Sequence, residues 1–265
     1  MKNAIESQLV AQHPWRGHLR WFDTLPSTND LAKELAKKGA PQGTVLIAGH
    51  QSGGRGRMGR TFHSPEGMGI YMSVILRPDC APDALMHLTC AAAVACCDAV
   101  EKACGLRPGI KWINDLVIGK RKLGGILTEL VFSPKGTLDS AVIGIGINCF
   151  QRAEDFPEDI RSVACSLAMA ADIQPDRAKL AAAMVEALHS MGEQLFTGKQ
   201  KTLERYRRDC VTIGQDIMVL RGDQRSYARA IEVDDQGALM IRLSDGTCDT
   251  VNSGEVSIRG MYGYA

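Results

Sequence analysis

Two stretches hold the residue types that could do chemistry. Residues 51–60, QSGGRGRMGR, set three arginines between glycines. Glycines let backbone N–H groups approach an anion, and arginine forks supply charge-assisted hydrogen bonds to carboxylate or phosphate. Residues 111–130, KWINDLVIGKRKLGGILTEL, place Lys122 just before a glycine pair and put Asn114 and Asp115 inside an otherwise apolar run. Polar groups buried there need partners, such as a ligand hydroxyl or a metal ion. Together the two stretches suit a site where two anionic reactants must meet. Each also leaves a plainer reading open: a surface loop with solvated arginines, and a hairpin with a solvated basic turn at Lys120, Arg121 and Lys122.

The first stretch satisfies the letter of one familiar pattern. Gly54, Gly56 and Gly59 spell G-x-G-x-x-G, and Asp79 follows at about the separation a dinucleotide fingerprint wants. That fingerprint works because its third glycine opens a helix facing the pyrophosphate. Here Pro65, Gly67 and Gly69 forbid such a helix. An RNA-binding tract would repeat its arginine-glycine units in a basic, disordered setting. This chain has 31 Lys plus Arg against 30 Asp plus Glu, so the basic excess of a general nucleic-acid binder is missing.

Residues of this kind need a scaffold, and the chain predicts an α/β one. PSTNDLAKELAKKGAPQG (26–43) reads as a short amphipathic helix capped by Ser27 or Thr28 and stopped at Gly39. Strands over 44–51 and 69–76 flank the arginine loop, and a long helix spans 82–105. Residues 109–132 predict two strands joined by a type II′ turn at Gly119-Lys120. In that reading Lys111 and Asp115 share one strand face, Trp112 and Asn114 the other, and Lys122, Gly124, Ile126 and Thr128 line one face of the return strand. A strand over 140–149 and helices over 176–196 and 201–210 follow. After Cys210, short alternating runs predict a small β-barrel.

The 265 residues, 45% of them hydrophobic, suffice for one large core with a small appended domain. No uncharged apolar run is long enough to span a bilayer, and Glu6 and His13 fall where a signal peptide would have its apolar segment. These features predict a cytoplasmic protein. The nine cysteines are odd in number and form no Cys-x-x-Cys pair, which predicts free thiols. Cys90, Cys96, Cys97 and Cys104 read as small core hydrophobes, as does Cys149 beside Asn148.

The combination of STN (27–29), QSGGRGRMGR (51–60), KWINDL (111–116), RKLGGIL (121–127), GIGIN (144–148) and SGEVSIRG (253–260) resembles the biotin protein ligases, the bacterial biotin-[acetyl-CoA-carboxylase] ligases. Six motifs in order, from about residue 20 to the C-terminus, make the resemblance specific although each is weak alone. It implies a mixed-sheet α+β catalytic domain of the class II synthetase-like type over 1–210, followed by an SH3-like β-barrel over 211–265. It implies a reaction in which biotin and ATP, with Mg²⁺, give biotinyl-5′-AMP and pyrophosphate, after which the biotinyl group passes to one lysine of a biotin carboxyl carrier protein or domain.

Carried over by position, the resemblance implies that Ser27, Thr28 and Gln51 contact the biotin head group. Gly54, Arg55 and Arg57 then belong to the loop that closes on the acyl phosphate, and Lys122, with Gly125, lies at the biotin carboxylate and α-phosphate. Phe62, Lys111, Asn114 and Asn148 fall at the adenylate, and Asp115 orients the acceptor lysine or helps hold Mg²⁺. The catalytic set is Arg57, Lys122 and Asp115, and the metal ligands stay unassigned. The chain departs from the family at Ile113, where proline is common and where isoleucine would extend the strand, at Phe62, where relatives can carry tryptophan as an adenine lid, and at Gly69, where asparagine is frequent. Only 26 residues precede Ser27, too few for the DNA-binding domain some members carry, so no DNA partner is expected, and no membrane. Monomer and homodimer both fit. A lipoate or octanoyl transferase of the same superfamily is the alternative reading, and a nucleic-acid-binding regulator using Arg55, Arg57 and Arg60 is a third.

Overall fold

The structure is a computed structural model. It describes residues 1–171, 173–221, 224–252 and 257–260, with backbone alone at 171 and 257–260. Residues 253–256, half of the SGEVSIRG motif, lie outside the described residues.

In chain order the elements are α1 (Lys2–Gln8), β1 (Leu19–Leu25), α2 (Thr28–Lys37), β2 (Val45–Gln51), β3 (Gly69–Leu76), α3 (Leu88–Cys104), β4 (Gly109–Lys111), β5 (Asp115–Ile118), β6 (Arg121–Phe132), β7 (Leu138–Asn148), α4 (Leu167–Ala171), α5 (Arg177–Glu193), α6 (Lys199–Asp209), β8 (Asp216–Arg221), β9 (Gln224–Val233), β10 (Leu239–Leu243), β11 (Cys248–Val251) and β12 (Ser257–Gly260). Seven strands form one mixed sheet in the order β1-β2-β3-β7-β6-β5-β4. Only the β1–β2 pair within it is parallel. β3 is buried along its whole length, which explains its unbroken apolar run: a strand covered on both faces has no polar side to show. Alternate residues divide between two cores. Leu46, Ile75 and Val142 pack with Ala32 and Ala36 of α2, while Ile47, Val74 and Ile143 join the larger cluster containing α3 and α5.

The predicted α2, β2, β3, α3, α5 and α6 are all present, with Ser27 as the α2 cap accepting from the Asp30 N–H at 3.3 Å and Gly105 ending α3 at φ +69°. Two elements carry no clear sequence signal. α1 is short, and β1 buries only Leu19 completely, so as a sheet edge it lacks both a continuous apolar run and clean alternation. Pro82–Cys104 is long and apolar enough to cross a membrane by length and composition, yet most of it is buried in this core.

The largest difference from expectation lies in residues 109–132. Residues 112–114 form a turn, not strand interior, so β4 and β5 are antiparallel and Lys111 sits opposite Asp115 across a hairpin. Ile113 therefore extends nothing. Asn114 and Asp115, turn-favouring residues in succession, mark the reversal, a signal the strand reading overlooks. The turn at Gly119-Lys120 is as predicted, with Gly119 at φ +59°. Past it, the register shifts: Leu116 pairs with Gly124 but Val117 with Lys122, leaving Leu123 as an extra residue in β6. A β-bulge of this kind re-aims side chains. Lys122 consequently lies beside Gly125, where a Cβ would fall 3.4 Å from Lys122 Nζ, and not beside Gly124 as simple alternation requires.

The remaining five strands form an antiparallel sheet in the order β11-β10-β9-β8-β12. The 112–114 turn is fastened by α6, by the segment leading into β8 and by the β9–β10 turn. The Trp112 backbone N–H donates to Thr212 Oγ1 at 2.9 Å, its indole Nε1 donates to the Gly237 carbonyl at 3.0 Å, and Tyr206 Oη donates to the Ile113 carbonyl at 3.1 Å.

Two buried histidines contribute to the acid side of stability. Burial pulls His87 below the ordinary imidazole pKa, with the Leu195 carbonyl opposing; burial and then His189 lower His13, with Glu186 opposing. A lowered pKa means the folded chain binds fewer protons than the unfolded one, so this stabilisation is present above the unfolded pKa of about 6.5 and is lost as pH falls below it. The melting temperature is expected to drop between pH 7 and pH 5, and His87→Gln to flatten that drop. A melting temperature constant or rising over that range would contradict the assignment.

Candidate functional site

A cleft of about 550 Å³ opens along the sheet, lined by α2, the arginine loop, the 112–115 turn, β6, β7 and the segment 156–164. Its volume suits a ligand of cofactor size. Its floor is made of glycines. A Cβ at Gly144 would fall 2.0 Å from Asn29 Oδ1, and one at Gly146 would fall 2.3 Å from the Phe62 ring. Only glycine lets these groups approach the sheet so closely.

At one end lies a polar row held by the first turn of α2. Gln51 Oε1 accepts from the Thr28 backbone N–H at 2.9 Å and from Thr28 Oγ1 at 3.0 Å, while Gln51 Nε2 donates to Ser64 Oγ at 3.0 Å. Ser73 Oγ lies 2.7 Å from Thr28 Oγ1 and 2.6 Å from Asn29 Oδ1. These buried donors and acceptors satisfy one another and rigidify the row, which gives a ligand fixed hydrogen-bonding groups.

At the other end the charges gather. Lys122 Nζ lies 2.6 Å from Asp115 Oδ1, and Arg57 Nη1 donates to Asn114 Oδ1 at 3.1 Å. Asn114 is itself fixed by its Nδ2 donating to the Ile126 carbonyl at 2.9 Å. Burial lowers the Arg57 pKa, and Asp115 works in the opposite direction. Arg57 nonetheless remains a cation at any working pH. Lys111 is 7% exposed and also faces the cleft. Asn148, buried at the end of β7, donates to the Cys165 carbonyl at 3.0 Å and accepts from Gln151 Nε2 at 3.1 Å. Cation and carboxylate side by side, with fixed amides, make a site that can bind anionic oxygens and offset charge as it develops.

The arginine loop is a small hairpin. Arg55 bridges to Thr61, the Gly56 N–H donates to the Arg60 carbonyl at 2.7 Å, and the Phe62 N–H donates to the Gly54 carbonyl at 2.9 Å. Met58 turns it in the left-handed region at φ 54° with its side chain exposed, a conformation uncommon for a residue with a Cβ. Arg55 pairs with Asp30 and Glu129 at the rim while Arg57 reaches inward.

The structure brings Ser27, Thr28, Gln51, Arg55, Arg57, Phe62, Lys111, Asn114, Asp115, Lys122, Gly125 and Asn148 together around this cleft. Gly54 is the exception. It is buried beneath the loop, where a Cβ would fall 2.3 Å from the Phe62 carbonyl, so it shapes the turn and does not line the cleft. Phe62 packs over Gly146 with its ring edge-on to Tyr71 at 6.5 Å. Gly69 lies outside the lining, with no room for a side chain beside the Ile147 carbonyl and Tyr71.

Sequence reasoning misses two parts. The wall formed by Phe156, Asp159, Ile160, Val163 and Ala164 has no motif; it arrives because the Lys122 N–H donates to the Val163 carbonyl at 2.7 Å and the Cys165 N–H to the Lys122 carbonyl at 2.8 Å. Glu129 is the other, although a carboxylate within the run ILTELVF carries the same signal that marks Asn114 and Asp115. Burial pushes its carboxyl up, but hydrogen bonds from Lys33 and Asn29 and the charges of Lys33 and Arg55 outweigh that and hold it below the usual glutamate range.

Cys149, next to Asn148, is fully buried, and burial pushes its thiol up to about 12. A thiol so placed is inert. Maleimide labelling of the native protein, mapped by peptide mass, is expected to modify the exposed Cys248 first and to reach Cys149 only after denaturation. Labelling of Cys149 at a rate comparable to Cys248 would show an opening this packing does not allow.

Known proteins are similar to this chain in sequence and in fold. Residues 21–148 match the Biotin/lipoate A/B protein ligase family, and residues 212–259 match the Biotin protein ligase C terminal domain. The chain is 37% identical over 233 residues to the Bifunctional ligase/repressor BirA of Bacillus subtilis, an alignment covering 86% of this chain and 70% of that protein. It is 34% identical over 262 residues to the biotin-[acetyl-CoA-carboxylase] ligase of Mycobacterium tuberculosis, covering 96% and 94%. Among solved structures, biotin protein ligase from Aquifex aeolicus in complex with biotin and ATP superposes with a TM-score of 0.78 at 26% identity, covering 91% of this chain and 98% of that one.

Proposed function

This chain belongs to the biotin protein ligase family, and on that premise we propose that it activates biotin with ATP and transfers it to a specific lysine of a biotin carboxyl carrier protein in the cytoplasm. The observation that carries the assignment of ends is the polarity of the cleft. The neutral row of Thr28, Gln51 and their partners suits the ureido ring of biotin, which offers two N–H donors and one carbonyl acceptor. A dithiolane ring, as in lipoate, has no N–H or carbonyl to exchange hydrogen bonds with that row, so the row would give it no directional contact.

In this reading the biotin carboxylate points toward Lys122 and Arg57. Its oxygen attacks the α-phosphorus of ATP, the bond to the β-phosphate oxygen breaks, and pyrophosphate leaves. Lys122 offsets charge on the carboxylate and α-phosphate as they approach, while Asp115 and the bulge at Leu123 fix its direction. Arg57, anchored on Asn114, clamps the acyl phosphate, and Phe62, Lys111 and Asn148 border the adenosine part. In the second step the acceptor amine attacks the acyl carbon, loses a proton, and AMP departs; Asp115 is the carboxylate assigned to orient that amine.

Among the described residues no group of three metal-binding side chains occurs, and the carboxylates facing the cleft are Asp115 and Asp159. Such a set fits Mg²⁺ held mainly by phosphate oxygens, which when bound would neutralise the departing pyrophosphate. We read residues 1–210 as the ligase domain and 211–265 as a small β-domain, an arrangement supported by the change of sheet after α6.

The test is exchange of labelled pyrophosphate into ATP without carrier protein. Exchange is expected with biotin and not with lipoate. Exchange with lipoate alone would overturn the substrate assignment, and exchange with neither acid would overturn the activation step.

A further inference from the structure

Four charged groups meet where the arginine loop crosses α2 and β6, outside the reactive end of the cleft. Glu129 Oε1 accepts from Lys33 Nζ at 2.8 Å and from Arg55 Nη2 at 3.3 Å, while its Oε2 accepts from Asn29 Nδ2 at 2.9 Å. Asp30 pairs with Arg55 Nη1 and lies 3.1 Å from Lys33 Nζ. An exposed ion pair is worth little by itself, and Asp30 and Arg55 are 45% and 41% exposed. Glu129, at 21%, is more enclosed and touches three partners at once. It reaches the loop through Arg55 and, through Asn29, the helix turn that carries Thr28. Glu129 does not itself line the cleft.

We propose that Glu129 is a positioning residue that holds the arginine loop closed by tethering Arg55 to the first turn of α2, with Asp30 as the second anchor. The inference rests on the ligase reading where it concerns the adenylate, and it deepens that reading. Arg57 grips the intermediate, and Glu129 determines how long the segment bearing Arg57 stays in place. The tether is ionic, so it weakens with salt, whereas the neutral row beneath it does not.

Limited trypsin digestion of the ligand-free protein reads the loop directly, since it offers cleavage after Arg55, Arg57 and Arg60. Rates are normalised to a free peptide of the same sequence, which cancels the effect of salt on the protease. Glu129→Gln is expected to raise loop cleavage on the order of fivefold or more. Salt at about 1 M, where the Debye length shrinks to about 3 Å, should narrow the gap between the wild-type protein and the variant, because the variant keeps only the Asp30–Arg55 pair for salt to weaken. Glu129→Asp, which keeps the charge, should be cleaved more slowly than Glu129→Gln. Release of preformed biotinyl-AMP should quicken in parallel. Equal cleavage of wild type and Glu129→Gln, or a full salt response in the variant, overturns the tether. Should Glu129→Gln fail to fold, Asp30→Asn makes the same comparison through the second anchor. Cleavage as expected with no adenylate formed would refute the ligase reading and leave the tether supported.

Discussion

Replacing Lys122 with alanine is expected to slow biotin-dependent pyrophosphate exchange by roughly 10²-fold or more, the usual cost of removing one preorganised group from developing charge. Two effects combine. The ammonium that faces the reacting oxygens is lost, and Asp115, 16% exposed at its side chain, is left without the partner 2.6 Å away. With the ammonium gone, the Asp115 charge is less well neutralised and repels both anionic reactants. Lys122→Met keeps the stem and volume, so it separates charge from packing; it should be nearly as slow as the alanine variant. An exchange rate unchanged in either variant would remove Lys122 from the chemistry.

Arg57→Gly should act on a different step. With no guanidinium to clamp the acyl phosphate and no side chain to link the loop to Asn114, biotinyl-AMP is expected to escape roughly ten- to a hundredfold faster, the worth of one or two hydrogen bonds to a charged group. Escaped mixed anhydride acylates whichever amine it meets. Mass spectrometry of bystander proteins incubated with the variant, biotin and ATP should therefore find biotin on exposed lysines at many sites. Labelling that stays confined to the carrier protein would contradict the clamp.

Most of the scaffold is legible in the sequence because its signals are local. Ser27 caps α2, Gly105 stops α3, and the apolar run of β3 announces a strand covered on both faces. The failures arise where local periodicity meets long-range register. Residues 112–114 turn because the chain must pass between β4 and β5, and Tyr206 and Thr212, distant in sequence, fasten that turn. Strict alternation cannot anticipate the extra residue at Leu123, which owes its place to pairing with β5. The residues that motif matching singles out line the cleft except Gly54, whose contribution is the absence of a Cβ beside Phe62. The wall at 156–164 is invisible to motif matching, since the contacts with Lys122 are made by backbone atoms of any residue type.

The turn that presents Asn114 and Asp115 takes two of its hydrogen bonds from Thr212 and Gly237, beyond the helix that ends the larger sheet. A chain cut after α6 would leave the Trp112 indole and amide N–H groups without acceptors just behind the cleft. The small sheet is thus a buttress as well as an appendage. Anyone seeking a minimal labelling enzyme from this scaffold would have to rebuild that support, for example with a residue at 112 that needs no acceptor for its side chain, before discarding the last fifth of the polypeptide.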